Sequence, residues 1–141
     1  MSKYNAKKTT YKDIIFDSIA EADFYKMLLS EEAKGNVGEI VLQPSFRLQD
    51  GYNHNGKKVK PINYKADFMF KDIVNDKLIV IDVKGMATEV ANLKRKMFNY
   101  LFGKELDLIW VVKNKKYGNK YGFVEYNKLK KARKENKKLN T

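Results

Sequence analysis

Apolar positions along the chain keep two different periods, and each change of period marks the border of an element. From Ser18 onward Ala20, Phe24, Met27 and Leu28 recur at helical spacing until Gly35 and Gly38 stop the pattern, which predicts a first helix ending near Ala33. Glu39 to Leu42 then reads as extended, Gln43-Pro44 interrupts it, and Phe46 to Leu48 resumes it. A polar, glycine-containing stretch from Asp50 to Lys60 reads as a mobile loop. Ile62 to Phe70 and Lys77 to Lys84 are apolar-rich runs on either side of Val74-Asn75-Asp76, the arrangement of a β-hairpin. Gly85 ends the second run, and Val90, Leu93, Met97 and Leu101 repeat at helical spacing up to Gly103, with Thr88 as N-cap. Leu106 to Val112 is a continuous apolar run suited to a buried strand, and the loop 113–120 leads to a short strand at Tyr121 to Val124. The tail from Asn127 to Thr141 reads as a marginal amphipathic helix that frays at its end. This order predicts an α/β fold: a mixed sheet of about four or five strands flanked by helices, with a core in the order αβββαβ.

Composition narrows the chemistry. At 141 residues, with 43% hydrophobic and 13% aromatic residues, the chain suits one domain over 1–141. Its ends are a basic arm over about 1–11 and a lysine-rich tail over about 127–141, and Lys7 and Lys8 of the arm are candidate phosphate contacts. Without cysteine and with His54 as the one histidine, thiolate zinc sites, cysteine nucleophiles and a Ser-His-Asp triad are excluded or disfavoured. His54 itself reads as a surface residue and Trp110 as core. Any metal must be held by oxygen, which points to Mg²⁺ or Mn²⁺ wherever carboxylates converge. The formal net charge of +12 favours a polyanionic partner, nucleic acid first. No run approaches the roughly 20 apolar residues of a membrane span, and the start MSKYNAKKTT lacks a signal-peptide core, so no membrane partner and a cytoplasmic location are expected.

The hairpin carries the chemistry. Side chains two apart on a strand share a face, so Asp82 and Lys84 project together with Leu78 and Val80, away from Ile79, Ile81 and Val83. A turn centred between Val74 and Asn75 puts Asp67 opposite Asp82; one centred between Asn75 and Asp76 puts it opposite Lys84. Both registers leave all three on one face. Facing carboxylates repel unless a cation or the adjacent ammonium compensates, so their position at the end of an apolar hairpin suggests a cation site. Acidic-x-Lys alone says little, since it recurs at Glu32/Lys34 and Glu135/Lys137. Only Asp82-Val83-Lys84 ends an apolar strand, has a second acid across a hairpin and precedes a glycine and a helix. The plainer alternative is an edge-strand salt bridge.

With these residues in that order, the chain resembles the PD-(D/E)XK nuclease core of restriction endonucleases and archaeal-type Holliday junction resolvases. The runs FDSIAEADFY, LQPSF, YKADF, IDVKG and LKRKMF, in order over about residues 3–112, resemble a small phage and prophage-encoded nuclease-like group of that superfamily. Ala66 stands where the superfamily's namesake proline would be. The resemblance implies a restriction-endonuclease-like fold in which Asp67 and Asp82 bind Mg²⁺, with the Val83 carbonyl as a further ligand. It implies that Lys84 orients or helps to deprotonate the attacking water and stabilises the developing charge. It implies a metal role for Glu21, on the face of the first helix that holds Phe24, Tyr25 and Leu28, although Ser18-x-x-Glu21 is equally a capping box. Gln43 would stand near the metal, or else be a turn residue facing water. Lys94 and Lys96, on a helix whose buried side is taken by Leu93 and Met97, could hold phosphates flanking the scissile bond, or simply form a solvated basic face.

The expected function is therefore a metal-dependent endodeoxyribonuclease acting on duplex or branched DNA, resolvase-like, working as a homodimer in the cytoplasm, that of the host if the protein is phage-encoded. The competing classes are a non-catalytic nucleic-acid-binding protein of the same fold and a basic interaction protein such as an inhibitor of host defence. Converging acids argue against both, because a phosphate-binding surface has no use for them.

Overall fold

The computed structural model describes residues 7–139 of the chain. β1 (Thr9–Tyr11) and β2 (Ile14–Phe16) pair as a small antiparallel hairpin. The end of the supposed basic arm is thus a strand, because Tyr11 and Phe16 pack their rings on Tyr25, at 6.3 and 5.4 Å between centroids. Residues 1–6 of that arm lie outside the described part. Ser18 Oγ accepts the Glu21 amide at 3.1 Å and opens helix α1, Ile19–Ala33, as its cap residue suggested.

β3 (Val37–Leu42) and β4 (Ser45–Gln49) follow on either side of Gln43-Pro44. The stretch read as a loop over Asp50 to Lys60 is a second small hairpin, β5 (Tyr52–His54) and β6 (Lys57–Val59). Asn55 and Gly56, both at positive φ, supply the two-residue turn that matches the twist of its strands. Nearly all of its side chains are exposed, so no apolar alternation marked it. The run from Ile62 to Phe70 is likewise two strands, not one: β7 (Ile62–Lys65) and β8 (Phe68–Asp72), parted at Ala66-Asp67. β9 (Lys77–Val83), α2 (Glu89–Phe102), β10 (Leu106–Lys113), β11 (Phe123–Glu125) and α3 (Tyr126–Leu139) complete the order.

The main sheet has the order β11-β10-β9-β8-β3. β9 and β10 run parallel, as the α2 crossover requires, and the remaining pairs are antiparallel. This is the expected α/β architecture, a mixed five-stranded sheet flanked by helices. The strand faces divide the core. Ile79, Ile81 and Val83 pack with Phe16, Phe24, Leu28 and Phe68 beneath α1, whereas Val80 packs with Leu48, Tyr64, Ala66 and Phe98 beneath α2. Among the described residues no helix is long and apolar enough to cross a membrane.

α2 is rotated relative to the sequence reading. Phe98 is fully buried and meets Phe46, Tyr64 and Phe102 at 5.0, 5.5 and 5.1 Å, while Leu93 is 59% exposed. Met97 keeps its inward place at the edge of this cluster. An aromatic side chain buries more area than a leucine and gains from edge and tilted ring contacts, so Phe98 rather than Leu93 sets the helix face. In urea denaturation Phe98→Ala should therefore cost about 3–5 kcal/mol. Leu93→Ala should stay within roughly 1 kcal/mol. The reverse order would contradict this helix orientation.

Candidate active site

The site starts from a bend. Leu42 pairs with Phe68 at the end of the β3/β8 ladder and Ser45 with Lys65 at the start of β4/β7, so the two ladders are one antiparallel ribbon, in register across Gln43-Pro44 and Ala66-Asp67. The bend is held by Gln43 N donating to the Asp67 carbonyl at 2.9 Å and Ala66 N donating to the Pro44 carbonyl at 3.0 Å. Proline has no N–H to give, and Gln43 takes a positive φ of 50°, so the ribbon leaves the plane of the sheet here. β8 goes on beside β9, whereas β7 turns off with β4 to lie against α2.

Asp67 stands at the fork. Its amide donates to the Ile81 carbonyl at 3.0 Å, and its Oδ2 accepts the Val83 amide at 2.7 Å. A carboxylate thus takes the place of a strand carbonyl next to β9. The β8/β9 register runs from Asp72↔Lys77 to Phe68↔Ile81, which centres the turn between Val74 and Asn75 and sets Asp67 across from Asp82, the first of the two registers considered.

Asp82 is 5% exposed and its carboxylate is held on two sides. Tyr64 donates to Oδ2 at 2.7 Å, and Lys84 Nζ lies 3.1 Å from the same oxygen. Trp110, directly beside Asp82 in the parallel ladder, donates its indole N–H to the Tyr64 hydroxyl at 2.8 Å. An indole can only donate, so the chain has one direction, from Trp110 to Tyr64 to Asp82. Burial, and next the Asp82 charge, push the Tyr64 phenol far above its ordinary range, with Asp67 adding to the effect. The hydroxyl therefore keeps its proton and remains a donor.

Glu21, 1% exposed, lines a cavity of about 190 Å³ together with Gln43, Asp67, Phe16 and Phe68. Ser18 makes its half of the capping box through the Glu21 amide, and the Glu21 side chain reaches this cavity. Asp67 is common to both groups, since it lines the cavity and also acts on Tyr64 beside Asp82. A second cleft of about 390 Å³ gathers Lys7, Lys84 and Lys113 against the start of α1. A larger concavity, about 640 Å³, lies at the other end of β9 and β10, away from these residues.

The structure thus brings Asp67, Asp82, Val83 and Lys84 together, sets Glu21 and Gln43 on the adjoining cavity and puts Lys7 on the lysine cleft. Lys8 and Lys96 are exposed and Lys94 half-buried. Among the described residues no group of three or more His, Asp or Glu side chains converges to hold a metal ion. Tyr64, Trp110 and Arg95, whose guanidinium carbon lies 3.9 Å from the Trp110 ring centre, belong to the site and were not expected there. Tyr64 shares an apolar run with Asp67, and Trp110 is the one tryptophan, but nothing local ties either to Asp82.

The model of the family described as "Protein of unknown function (DUF1064)" matches residues 1–119. No curated protein and no solved structure matches the chain.

Tyr64→Phe removes the link between a buried indole N–H and a buried carboxylate, and should cost about 1–3 kcal/mol at neutral pH in urea denaturation. Because folding raises the Tyr64 pKa, this contribution is complete below the ordinary phenol value of 10 and is lost as pH rises above it, where only the unfolded chain ionises. The wild-type advantage should shrink above pH 10. An advantage that is absent at pH 7 would contradict the hydrogen-bond chain.

Proposed function

The chain belongs to the family described as "Protein of unknown function (DUF1064)", and from the site it carries we propose that it is a Mg²⁺- or Mn²⁺-dependent endonuclease of the PD-(D/E)XK type, hydrolysing phosphodiester bonds in DNA. The observation that carries this reading is the meeting of Asp67 with Asp82-Val83-Lys84 at the fork of a bent ribbon, beside a cavity holding a buried Glu21. Two acids and one lysine at the end of adjacent strands, followed by a helix, are what the family resemblance implies for the catalytic centre.

The donor set fits a hard cation. All its candidate ligands are oxygens, and Mg²⁺ keeps several waters, needing only one or two protein carboxylates rather than a closed cage. A cavity of about 190 Å³ has room for such waters. Asp67 and Asp82 would hold the ion, with the Val83 carbonyl and Glu21 as further donors, directly or through water. When bound, the ion would acidify the attacking water and offset phosphate charge. Lys84, an ammonium held against Asp82, is suited to stabilising the charge that develops on the phosphorus oxygens. Tyr64 fixes the Asp82 carboxylate, and so the ammonium bound to it. Gln43 and Glu21 can orient water in the cavity.

A basic chain meeting a centre rich in acids is consistent with a polyanionic substrate brought in by long-range attraction and then engaged through a cation. We take branched DNA as the substrate, on the likeness to junction resolvases, and a homodimer in the cytoplasm as the working form. The second reading, a non-catalytic DNA-binding protein, draws on the absence of a converged three-acid group among the described residues and on the engagement of Asp82 by Tyr64 and Lys84.

Cleavage of linear, single-stranded, flapped and four-way DNA in Mg²⁺ separates the two. The enzyme reading predicts cleavage that Asp67→Asn or Asp82→Asn lowers by roughly 10²-fold or more, while binding in Ca²⁺ is equal or tighter. Lys94→Ala with Lys96→Ala should instead weaken binding and reduce the log-log salt slope by up to about 0.9 per lost duplex-phosphate contact. Binding without metal-dependent cleavage of any of these DNAs would leave the binding protein as the function.

A further inference from the structure

Trp110 is 2% exposed and carries two cations on its ring: the Arg95 guanidinium carbon at 3.9 Å and Lys84 Nζ at 4.7 Å from the centroid. Lys84 has a carboxylate partner, Asp82. Arg95 has no ion pair among the described residues, and its one side-chain hydrogen bond, Nη2 to Asn92 Oδ1, is long at 3.4 Å. A guanidinium can rest on an indole through its flat face, which leaves in-plane N–H donors for another partner. Two cations thus share one indole while a single carboxylate is paired with them. An anion placed beside both would supply the negative charge that one carboxylate does not.

We propose that Arg95 and Lys84 form a phosphate subsite, in which Arg95 grips the non-bridging oxygens of a phosphodiester presented to Asp67 and Asp82. As an assignment to the scissile linkage it rests on the nuclease reading; as a binding site it does not. The planar fork of Arg95 matches two phosphate oxygens at once, and Lys84 supplies a point charge beside them. Trp110 sets the position of both cations, and its N–H bond to Tyr64 fixes the ring itself. The phosphate contacts expected of Lys94 and Lys96 therefore have between them a residue turned to the catalytic centre.

The test is binding of a fluorescein-labelled thymidine pentanucleotide at low salt without divalent cation, read by anisotropy, with Trp110 emission as a local reporter because the chain has one tryptophan. Wild type should bind and change its Trp110 emission saturably. Arg95→Ala should weaken binding by about tenfold or more and flatten the log-log salt slope by about 0.7. Arg95→Lys should fall between the two, because it keeps the charge without the fork. Arg133→Ala, which removes the same charge from the exposed side of α3, should bind as wild type does. A central methylphosphonate, which removes one phosphate charge, should weaken wild type and leave Arg95→Ala nearly unaffected. If Arg95→Ala does not fold by urea denaturation, the Arg95→Lys and methylphosphonate comparisons carry the test. Wild type that fails to bind, or Arg95 variants that bind as wild type does, would overturn the subsite. Loss of binding in Arg95→Ala with no DNA cleavage by wild type would sink the nuclease reading and keep the subsite; the opposite pair of results would do the reverse.

Discussion

The amide of Val83 donates its hydrogen bond to a side-chain carboxylate where an ordinary sheet would offer a neighbouring carbonyl, and much of the structure follows from that exchange. Asp67 can reach it because the ribbon of β3–β4 and β7–β8 bends at Gln43-Pro44 and Ala66-Asp67 while keeping its register. The bend sends β8 along β9 into the α1 core and β7 with β4 beneath α2. It brings Tyr64 under Asp82 and opens the cavity bordered by Glu21 and Gln43. Removing the Asp67 carboxylate would therefore take from the Val83 amide a short hydrogen bond as well as take an acid from the site, so stability and chemistry are joined at one residue.

Charge is distributed on two scales. The chain as a whole is strongly cationic, with 29 Lys+Arg against 17 Asp+Glu, which favours approach to a polyanion over distances near the Debye length. At the fork acids are set into that background: Asp67 stands across from Asp82, Glu21 shares a cavity with Asp67, and Lys84 is paired with Asp82. A phosphodiester is repelled there unless positive charge is added between the acids and the phosphate. The proposed cation answers that need at the acids, and Arg95 on Trp110 answers it at the phosphate. The Trp110–Tyr64–Asp82 chain keeps both halves in place, since its donors are buried and have one direction.

Much of this was legible in the sequence where the cause is local. Ser18 and Thr88 announced their helices through cap chemistry, Gln43-Pro44 announced an interruption, and the apolar hairpin limited the register to two choices. What stayed hidden depends on partners distant in the chain. The break at Ala66-Asp67 is a bend shared with Pro44 on the opposite strand, so the run from Ile62 to Phe70 looks continuous when read alone. The β5–β6 ribbon lies almost wholly in solvent and left no apolar period, although Asn55-Gly56 was a turn signal. Leu93 and Phe98 both fit a helical stripe, and only the aromatic partners Phe46 and Tyr64 decide between them. Tyr64, Arg95 and Trp110 reach the site through three different elements, a meeting that residue spacing does not encode.

The central claim is that Asp67 and Asp82 share a divalent cation at this fork, and diffraction from crystals soaked in Mn²⁺ addresses it most directly. Anomalous scattering locates the ion independently of any activity. The account predicts a peak at direct coordination distance, about 2.1 Å as for small hard cations, from carboxylate oxygens of both Asp67 and Asp82, and its loss in Asp82→Asn crystals. An anomalous map with no peak between these two residues, Asp82 remaining closed on Tyr64 and Lys84 at saturating Mn²⁺, would contradict it.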